Sequence, residues 1–311
     1  MMQRTDRHYR YFMRLLTGRT LLYTEMVVAK AILNGDRERL LDFSAEEHPL
    51  ALQIGGDDPE EMAECARIAQ QWGYDEVNIN VGCPSSRVQS GNFGVCLMGE
   101  PETVAECVAA MRGACSLPVT VKHRIGFDEV DAYEDMARFV DIVAGAGCRR
   151  FTVHARKAWL EGLSPKDNRN VPPLRYEDVY RLKEDFPDLD VEINGGIESM
   201  DEVLEHLEQV DAAMLGRAAY DRPYIFAEAD HLVFGEPETD PPPRREVAAR
   251  MADYAEGYLT EGGKLSHIVH HIMQLYSHSR GAGAWRSHLG DNADEDDPEV
   301  IREAMRRAES S

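Results

Sequence analysis

Apolar and polar residues alternate in the stretch Asp75 to Pro84, which contains the segment VNINVGCP. Val77, Ile79 and Val81 alternate with Asn78 and Asn80, and this period of two is typical of a β-strand. Glycine and proline then end the strand and leave Cys83 on the loop that follows. Similar apolar runs predict seven strands, at residues 21–26, 50–54, 77–81, 118–122, 150–154, 190–194 and 212–215.

The segments between these strands show helical periodicity, and several begin with proline or an N-capping side chain. The predicted helices cover residues 4–14, 27–34, 59–73, 101–115, 132–146, 176–185, 199–209 and 223–234. Alternating strands and helices imply a parallel sheet, and eight such units close a (β/α)8 TIM barrel. Because seven strands are found, we expect the first strand of the α/β barrel to be truncated and to precede Met1.

Residues 236–243 form a proline-rich acidic linker, and the periodicity after it is helical only. The predicted organisation is therefore a barrel domain at 1–235, the linker at 236–243 and a helical domain at 244–311. We expect an acidic loop at 291–297 and a last exposed helix in the tail.

Composition narrows the function classes. The 311 residues carry a net charge of −22, which is typical of a solvated acidic surface or of adaptation to high salt. No apolar run approaches the ~20 residues of a membrane span, and the N-terminus lacks the apolar core of a signal peptide. The six cysteines show no C-x-x-C pair and no zinc-ligand spacing. We therefore expect a cytoplasmic, reduced, metal-free monomer that is not bound to a membrane.

Polar residues and glycines follow most of the predicted strands, and in a barrel these strand ends meet at one rim. Two successive glycine turns, Gly195-Gly196 and Gly216 with Arg217, favour a phosphate site over simple tight turns. Gln53, Asn80, Lys122 and His154 on other strand ends favour a planar polar heterocycle such as a flavin. For Lys122 alone a surface charge, and for His154 alone a structural histidine, remain alternatives.

Cys83 is the one cysteine with a reactive context. A thiol has an ordinary pKa of about 8.5 and can act as a general acid near neutral pH. Alternatively, Cys83 is a nucleophile with His154 or His123 as its base, or an inert thiol. The pattern leaves these roles open.

Cations cluster in the long loop 155–173, where Lys166 and Arg169 accompany Trp159, and again near Trp285, beside Arg280 and Arg286. In an acidic protein such clusters indicate a phosphate-bearing macromolecule, although ordinary solvated charges explain each residue equally well. Trp159 and Trp285 either stack on a base or anchor their segments.

Taken together, these motifs resemble the tRNA-dihydrouridine synthase family, and most closely its subfamily A. The matching segments are TDRH at 5–8, LYTEM at 22–26, LQIGG at 52–56, NINVGCP at 78–84, VTVK at 119–122, HARKAW at 154–159, INGG at 193–196 and GR at 216–217.

The resemblance implies an FMN-bearing barrel and a C-terminal tRNA-binding domain. FMN, reduced by NADPH, gives a hydride to C6 of a uridine at position 20 or 20a, and Cys83 gives a proton to C5. The implied FMN ligands are Met1, Gln53, Lys122, His154, Asn194, Gly195, Gly196, Gly216 and Arg217. The implied tRNA contacts are Asn80, Lys166, Arg169, Arg280 and Arg286.

The chain departs from the family pattern at two places. The first strand, with its Ala-Pro-Met turn, is reduced to Met1, and Gly283 stands where the subfamily has an arginine. We expect Arg280, one helical turn earlier, to take the place of that arginine. Two alternative functions remain: an FMN barrel that reduces a small pyrimidine-like molecule, and a non-catalytic tRNA-binding protein.

Overall fold

The computed structural model describes residues 1–85 and 91–311. Within these residues, short strands form one parallel sheet in the order β1-β3-β4-β5-β6-β7-β8. Strand β1 pairs with the first residues of β3, and β2 pairs with its last residues. The strands are β1 Leu22–Tyr23, β2 Val27–Val28, β3 Leu50–Gly55, β4 Glu76–Val81, β5 Val119–Arg124, β6 Arg150–His154, β7 Asp190–Asn194 and β8 Ala212–Met214. This is the barrel-like α/β arrangement that the βα rhythm predicts.

The first predicted strand, 21–26, is wrong in detail. It is split into β1 and β2, and Val27 and Val28 belong to β2 rather than to the next helix. At the other edge, the β8 residues are half-buried, whereas most residues of the central strands are buried. Among the described residues β1 and β8 do not pair with each other, so the sheet is open between them.

Helices follow the strands and cover the outside of the sheet. They are α1 Arg7–Arg14, α2 Ala29–Asn34, α3 Arg37–Leu41, α4 Pro59–Trp72, α5 Pro101–Ala114, α6 Tyr133–Gly145, α7 Tyr176–Asp185, α8 Met200–Leu207, α9 Arg217–Asp221 and α10 Ala229–Leu232. Their starts agree with local capping signals. The Asp58 carboxylate accepts the N–H groups of Glu60 and Glu61, and the Ser199 hydroxyl accepts that of Glu202.

The C-terminal region is helical, as predicted, with α11 Arg244–Thr260, α12 Ser266–Ile272, α13 Ala282–Asn292 and α14 Glu299–Glu309. We call residues 244–311 the helical region. It packs against α1, where the rings of Tyr11 and Tyr254 stack with their centroids 4.1 Å apart. None of the helices in the described chain is both long and apolar enough to cross a membrane.

The amino-terminal half of the barrel interior is polar. Arg150 pairs with Glu76 at 2.6 Å, and its Nε lies 3.9 Å from Glu192. The hydroxyls of Thr120 and Thr152 donate to Glu76 and Glu192 at 2.5 and 2.6 Å. Burial raises the pKa of both carboxyls. The interior is thus held by directional contacts, whereas apolar side chains fill the layer between sheet and helices.

Candidate active site

Strand register brings the predicted polar residues to one face of the sheet. Asn80 lies opposite Lys122, and Arg124 lies opposite His154, which in turn lies opposite Asn194. Residues paired in this way share a face. These side chains therefore enter the barrel interior near its carboxyl-terminal rim, where the site is expected in such folds.

A chain of amides holds the Cys83 loop. The Asn80 amide nitrogen donates to the Gln53 oxygen at 2.7 Å, and the Gln53 nitrogen donates to Asn78 at 2.8 Å. The Asn80 oxygen accepts the N–H groups of Gly82 and Cys83 at 3.1 and 3.0 Å. Asn80 thus determines where the loop leaves the strand and where the half-buried Cys83 thiol lies.

Arg124 is a site residue to which the sequence analysis assigned no role. Its buried guanidinium donates from Nε to the Gly82 carbonyl at 2.9 Å, and from Nη1 to the carbonyls of Lys157 and Asn168 at 3.0 and 3.1 Å. It therefore ties the Cys83 loop to the cationic loop 155–173. The available signal was the alternation Lys122-x-Arg124, which puts both cations on the interior face.

Cys83 interacts electrostatically with Arg124 and Arg169. Burial lowers the pKa of Arg124 to about 10, and Cys83 lies close enough to act in the opposite direction. Burial also lowers the pKa of Arg169, and Cys83 again acts in the opposite direction. The thiol itself contacts the Ser85 hydroxyl at 3.5 Å.

Lys122 and His154 are buried polar groups at the barrel mouth. The Lys122 ammonium donates to the Asn194 oxygen at 3.0 Å, and the Asn194 nitrogen donates to the Met214 carbonyl at 2.7 Å. Burial, followed by the nearby Arg124, lowers the pKa of Lys122 to about 8. Burial and the same cations hold the pKa of His154 well below its usual value. The His154 Nδ1 is buried and has no hydrogen-bond partner among the described residues.

The glycine turns form an open cradle beside these residues. Gly195 and Gly196 have φ of +114° and +77°, a region that favours glycine. A Cβ at Gly195 would lie 3.1 Å from the His154 ring, and one at Gly216 would meet nothing nearer than the Met1 sulfur at 4.0 Å. No described group accepts a hydrogen bond from the N–H of Gly195, Gly196 or Gly216. Such free N–H groups suit a phosphate.

The cationic loop meets the cradle through Arg217, whose Nη1 donates to the Asn170 side chain at 2.6 Å. Lys166 and Arg169 are exposed on this loop. Trp159 is half-buried, with the Lys157 ammonium 4.1 Å from its ring centroid. Its backbone N–H donates to Asn168 at 2.7 Å, which favours the anchoring role over base stacking.

Two sequence-based alternatives are wrong. The Trp285 ring is fully buried and donates to the Ile272 carbonyl at 3.0 Å, so it cannot stack on a base. His123 lies on the opposite strand face from Arg124 and packs its ring against Phe139, which removes it as a base for Cys83. In the helical region, Arg280 and Arg286 are exposed, and Arg280 donates to the Ser311 carbonyl at 2.7 Å. Among the described residues, no hydrogen bond or ion pair joins Arg280 or Arg286 to the residues at the barrel rim.

The chain is also similar in sequence to proteins of known function. The chain is 60% identical to a tRNA-dihydrouridine(20/20a) synthase from Synechocystis sp. over 94% of its length and 87% of the relative's. It is 51% identical to a protein of the same name from Vibrio cholerae serotype O1, over 98% of this chain and 94% of that one. The dihydrouridine synthase (Dus) family model matches residues 1–309. The chain belongs to the dihydrouridine synthase family.

This family reduces uridine to dihydrouridine in tRNA. A solved structure titled as a 2-naphthoyl-CoA reductase complex is also similar, with a TM-score of 0.55 and 13% identity. The match covers 72% of this dihydrouridine synthase family chain and 46% of that chain. At this identity the likeness supports the barrel fold alone.

Proposed function

We propose that this chain reduces uridines at positions 20 and 20a of tRNA, with FMN as its flavin and NADPH as reductant. The observation that carries the proposal is the meeting of Cys83, Lys122, His154 and the glycine cradle at one rim. The names of the relatives supply the tRNA positions. When bound, the flavin supplies a hydride to C6 of the uracil ring.

The cradle residues fit the phosphate of FMN. The N–H groups of Gly195, Gly196 and Gly216 are available to phosphate oxygens, and Arg217 adds a cation beside them. Met1 lies against Gly216 and closes that side of the cradle.

The buried polar residues fit the isoalloxazine ring. We assign Lys122 to the N1–O2 edge, where a cation favours the anionic reduced flavin. The unpartnered Nδ1 of His154 offers a further polar contact in a buried position. Gln53 and Asn194 complete the ring contacts and hold their neighbours through hydrogen bonds.

Cys83 is the proton donor in this proposal. Its Sγ–H gives a proton to C5 while C6 receives the hydride, and the sulfur is left as a thiolate. Arg124 and Arg169 are the cations whose charges interact with Cys83 in this arrangement. A neutral His154, held uncharged by burial and by the neighbouring cations, does not compete as an acid.

The exposed cations bind the RNA. Lys166 and Arg169 are exposed on loop 155–173, and Arg280 and Arg286 are exposed on the helical region. Because the chain carries a net charge of −22, phosphate binding depends on such local cations. The uridine must leave its stack to reach the site, and we assign Asn80, which supports the Cys83 loop, as a contact of the uridine.

The test separates the two half-reactions. Cys83→Ala should bind FMN and tRNA and be reduced by NADPH at the normal rate, but should form dihydrouridine at least ~10²-fold more slowly. Cys96→Ala, a half-buried cysteine of the same segment, should behave as wild type. Normal dihydrouridine formation by Cys83→Ala, measured by mass spectrometry of digested tRNA, would refute the assignment.

A further inference from the structure

Three metal-ligand side chains meet where α1 packs against the helical region. The ligand atoms of Asp6, His270 and His271 all lie within 4.8 Å of one another. Asp6 is the N-cap of α1, and both histidines lie on α12. The cluster shares no residue with the flavin and Cys83 site.

The proton positions of His271 follow from its neighbours. The Tyr220 hydroxyl lies 3.1 Å from the His270 carbonyl and 3.2 Å from the His271 Nδ1. A hydroxyl has one proton, and a carbonyl can only accept. Tyr220 therefore donates to the carbonyl and accepts from Nδ1–H. The His271 Nε2 then faces the Asp6 carboxylate oxygens at 2.9 and 3.0 Å.

The ring of His270 also carries its proton on Nδ1, for a separate reason. Its Nδ1 lies 2.8 Å from the Ser266 carbonyl, so Nδ1 carries the proton. The Nε2 of the neutral ring is then a lone pair, and it has no hydrogen bond to any described residue. In both rings Nδ1–H is held by an oxygen, which is the support that metal-binding imidazoles usually have.

We propose that Asp6, His270 and His271 bind one divalent transition-metal ion of the zinc class, through a carboxylate oxygen and the two Nε2 atoms. Two imidazoles and one carboxylate suit Zn²⁺ or Co²⁺, with water in the remaining position. A cation between His271 and Asp6 satisfies the lone pair and the carboxylate that face each other. Asp6 Oδ1 can keep its N-cap bonds to the N–H groups of His8 and Tyr9.

The ion would join α1 to the helical region. It would therefore support the relative placement of the barrel rim and the helical region, across which we expect tRNA to lie. Metal binding to the folded chain alone stabilises it in proportion to the logarithm of metal concentration.

The experiment uses the full chain after dialysis against a chelator. Titration with Co²⁺ should give ligand-field absorption that saturates at one equivalent and is displaced by Zn²⁺, and Zn²⁺ should raise the midpoint of thermal unfolding. His270→Ala removes an exposed ligand and should weaken Co²⁺ binding by at least ~10-fold. The control His231→Ala removes an exposed histidine that lies outside the proposed site and whose Nδ1 contacts the Glu236 carbonyl at 2.9 Å, and should bind Co²⁺ normally.

Absence of saturable Co²⁺ binding, or equal binding by wild type and His270→Ala, would overturn the proposal. The contact between Asp6 and His271 would then be a simple hydrogen bond from a ring N–H to the carboxylate. Dihydrouridine formation is not used as the readout, so the outcome is independent of the proposed flavin chemistry.

Discussion

Removing the Arg124 guanidinium should separate the Cys83 loop from the cationic loop. Arg124→Met keeps most of the apolar stem and deletes the donors to the carbonyls of Gly82, Lys157 and Asn168. A buried carbonyl left without a partner costs about 1–3 kcal/mol. Water entry and relief of the buried charge offset part of this sum, so we expect a net loss of about 2–4 kcal/mol in unfolding free energy.

The effect on catalysis should be selective. The variant keeps the hydrogen bond from the Cys83 N–H to Asn80 but loses the one from Arg124 to the neighbouring Gly82 carbonyl. Misplacing a reacting group by about 1 Å can reduce a rate ~10²-fold. We therefore expect uridine reduction to slow ~10²-fold, and flavin reduction by NADPH to change less than about twofold. Stopped-flow measurement of each half-reaction, with urea unfolding, tests both expectations.

Two variants complete the design. Arg124→Lys keeps the charge but cannot reach all the carbonyls, so its loss should be intermediate. Arg138→Met removes an exposed arginine whose partner is Glu102 on the surface, and should change neither rate nor stability. If Arg124→Met has the stability and the tRNA-dependent rate of the wild type, the hydrogen bonds of Arg124 do not position Cys83.

Three further perturbations follow from buried groups. Because burial lowers the pKa of Lys122 to about 8, flavin affinity should fall as pH rises through 8. Fluorescence titration should show this pH dependence in the wild type and not in Lys122→Met. The flavin-free chain should gain stability between that pH and the ordinary lysine value of 10.5, because the unfolded chain binds more protons there. Gly196→Ala places a Cβ 2.6 Å from Leu174 at φ +77°, and should abolish FMN retention on gel filtration. Glu47→Gln removes the charge that pairs with buried Arg10, and should lower the unfolding free energy by about 3–5 kcal/mol, contradicted by an unchanged urea midpoint.

Strand and helix positions were predictable because their periods are local. The split between β1 and β2 was not, since it depends on a side chain competing with the backbone. The Thr24 hydroxyl accepts the Gln53 N–H at 3.0 Å, which interrupts the ladder without changing the apolar pattern.

The candidate site was predictable as far as strand ends converge. The pattern does not show which carbonyls a buried cation such as Arg124 will bind, because loop 155–173 comes close to Arg124 only in the folded chain. The cluster of Asp6 and His271 joins residues 265 positions apart, so local zinc spacing had no bearing on it. Stacking and anchoring both stayed open for Trp285 in the sequence, and the fold decides for anchoring, because the buried ring belongs to the apolar face that Leu289 continues.

The pairing of Arg150 with Glu76 and Glu192 has a consequence for strand alignment. Sliding β6 by two residues would keep its faces inward but move Arg150 about 6.6 Å along the barrel. Both carboxylates would then be buried without their cation, which costs several kcal/mol. Apolar layers tolerate such a slip far better, because their contacts are not directional. The ion pairs of Arg150 with Glu76 and Glu192 thus select one strand register. This register also brings Lys122, His154 and Asn194 together at the opposite end of the barrel.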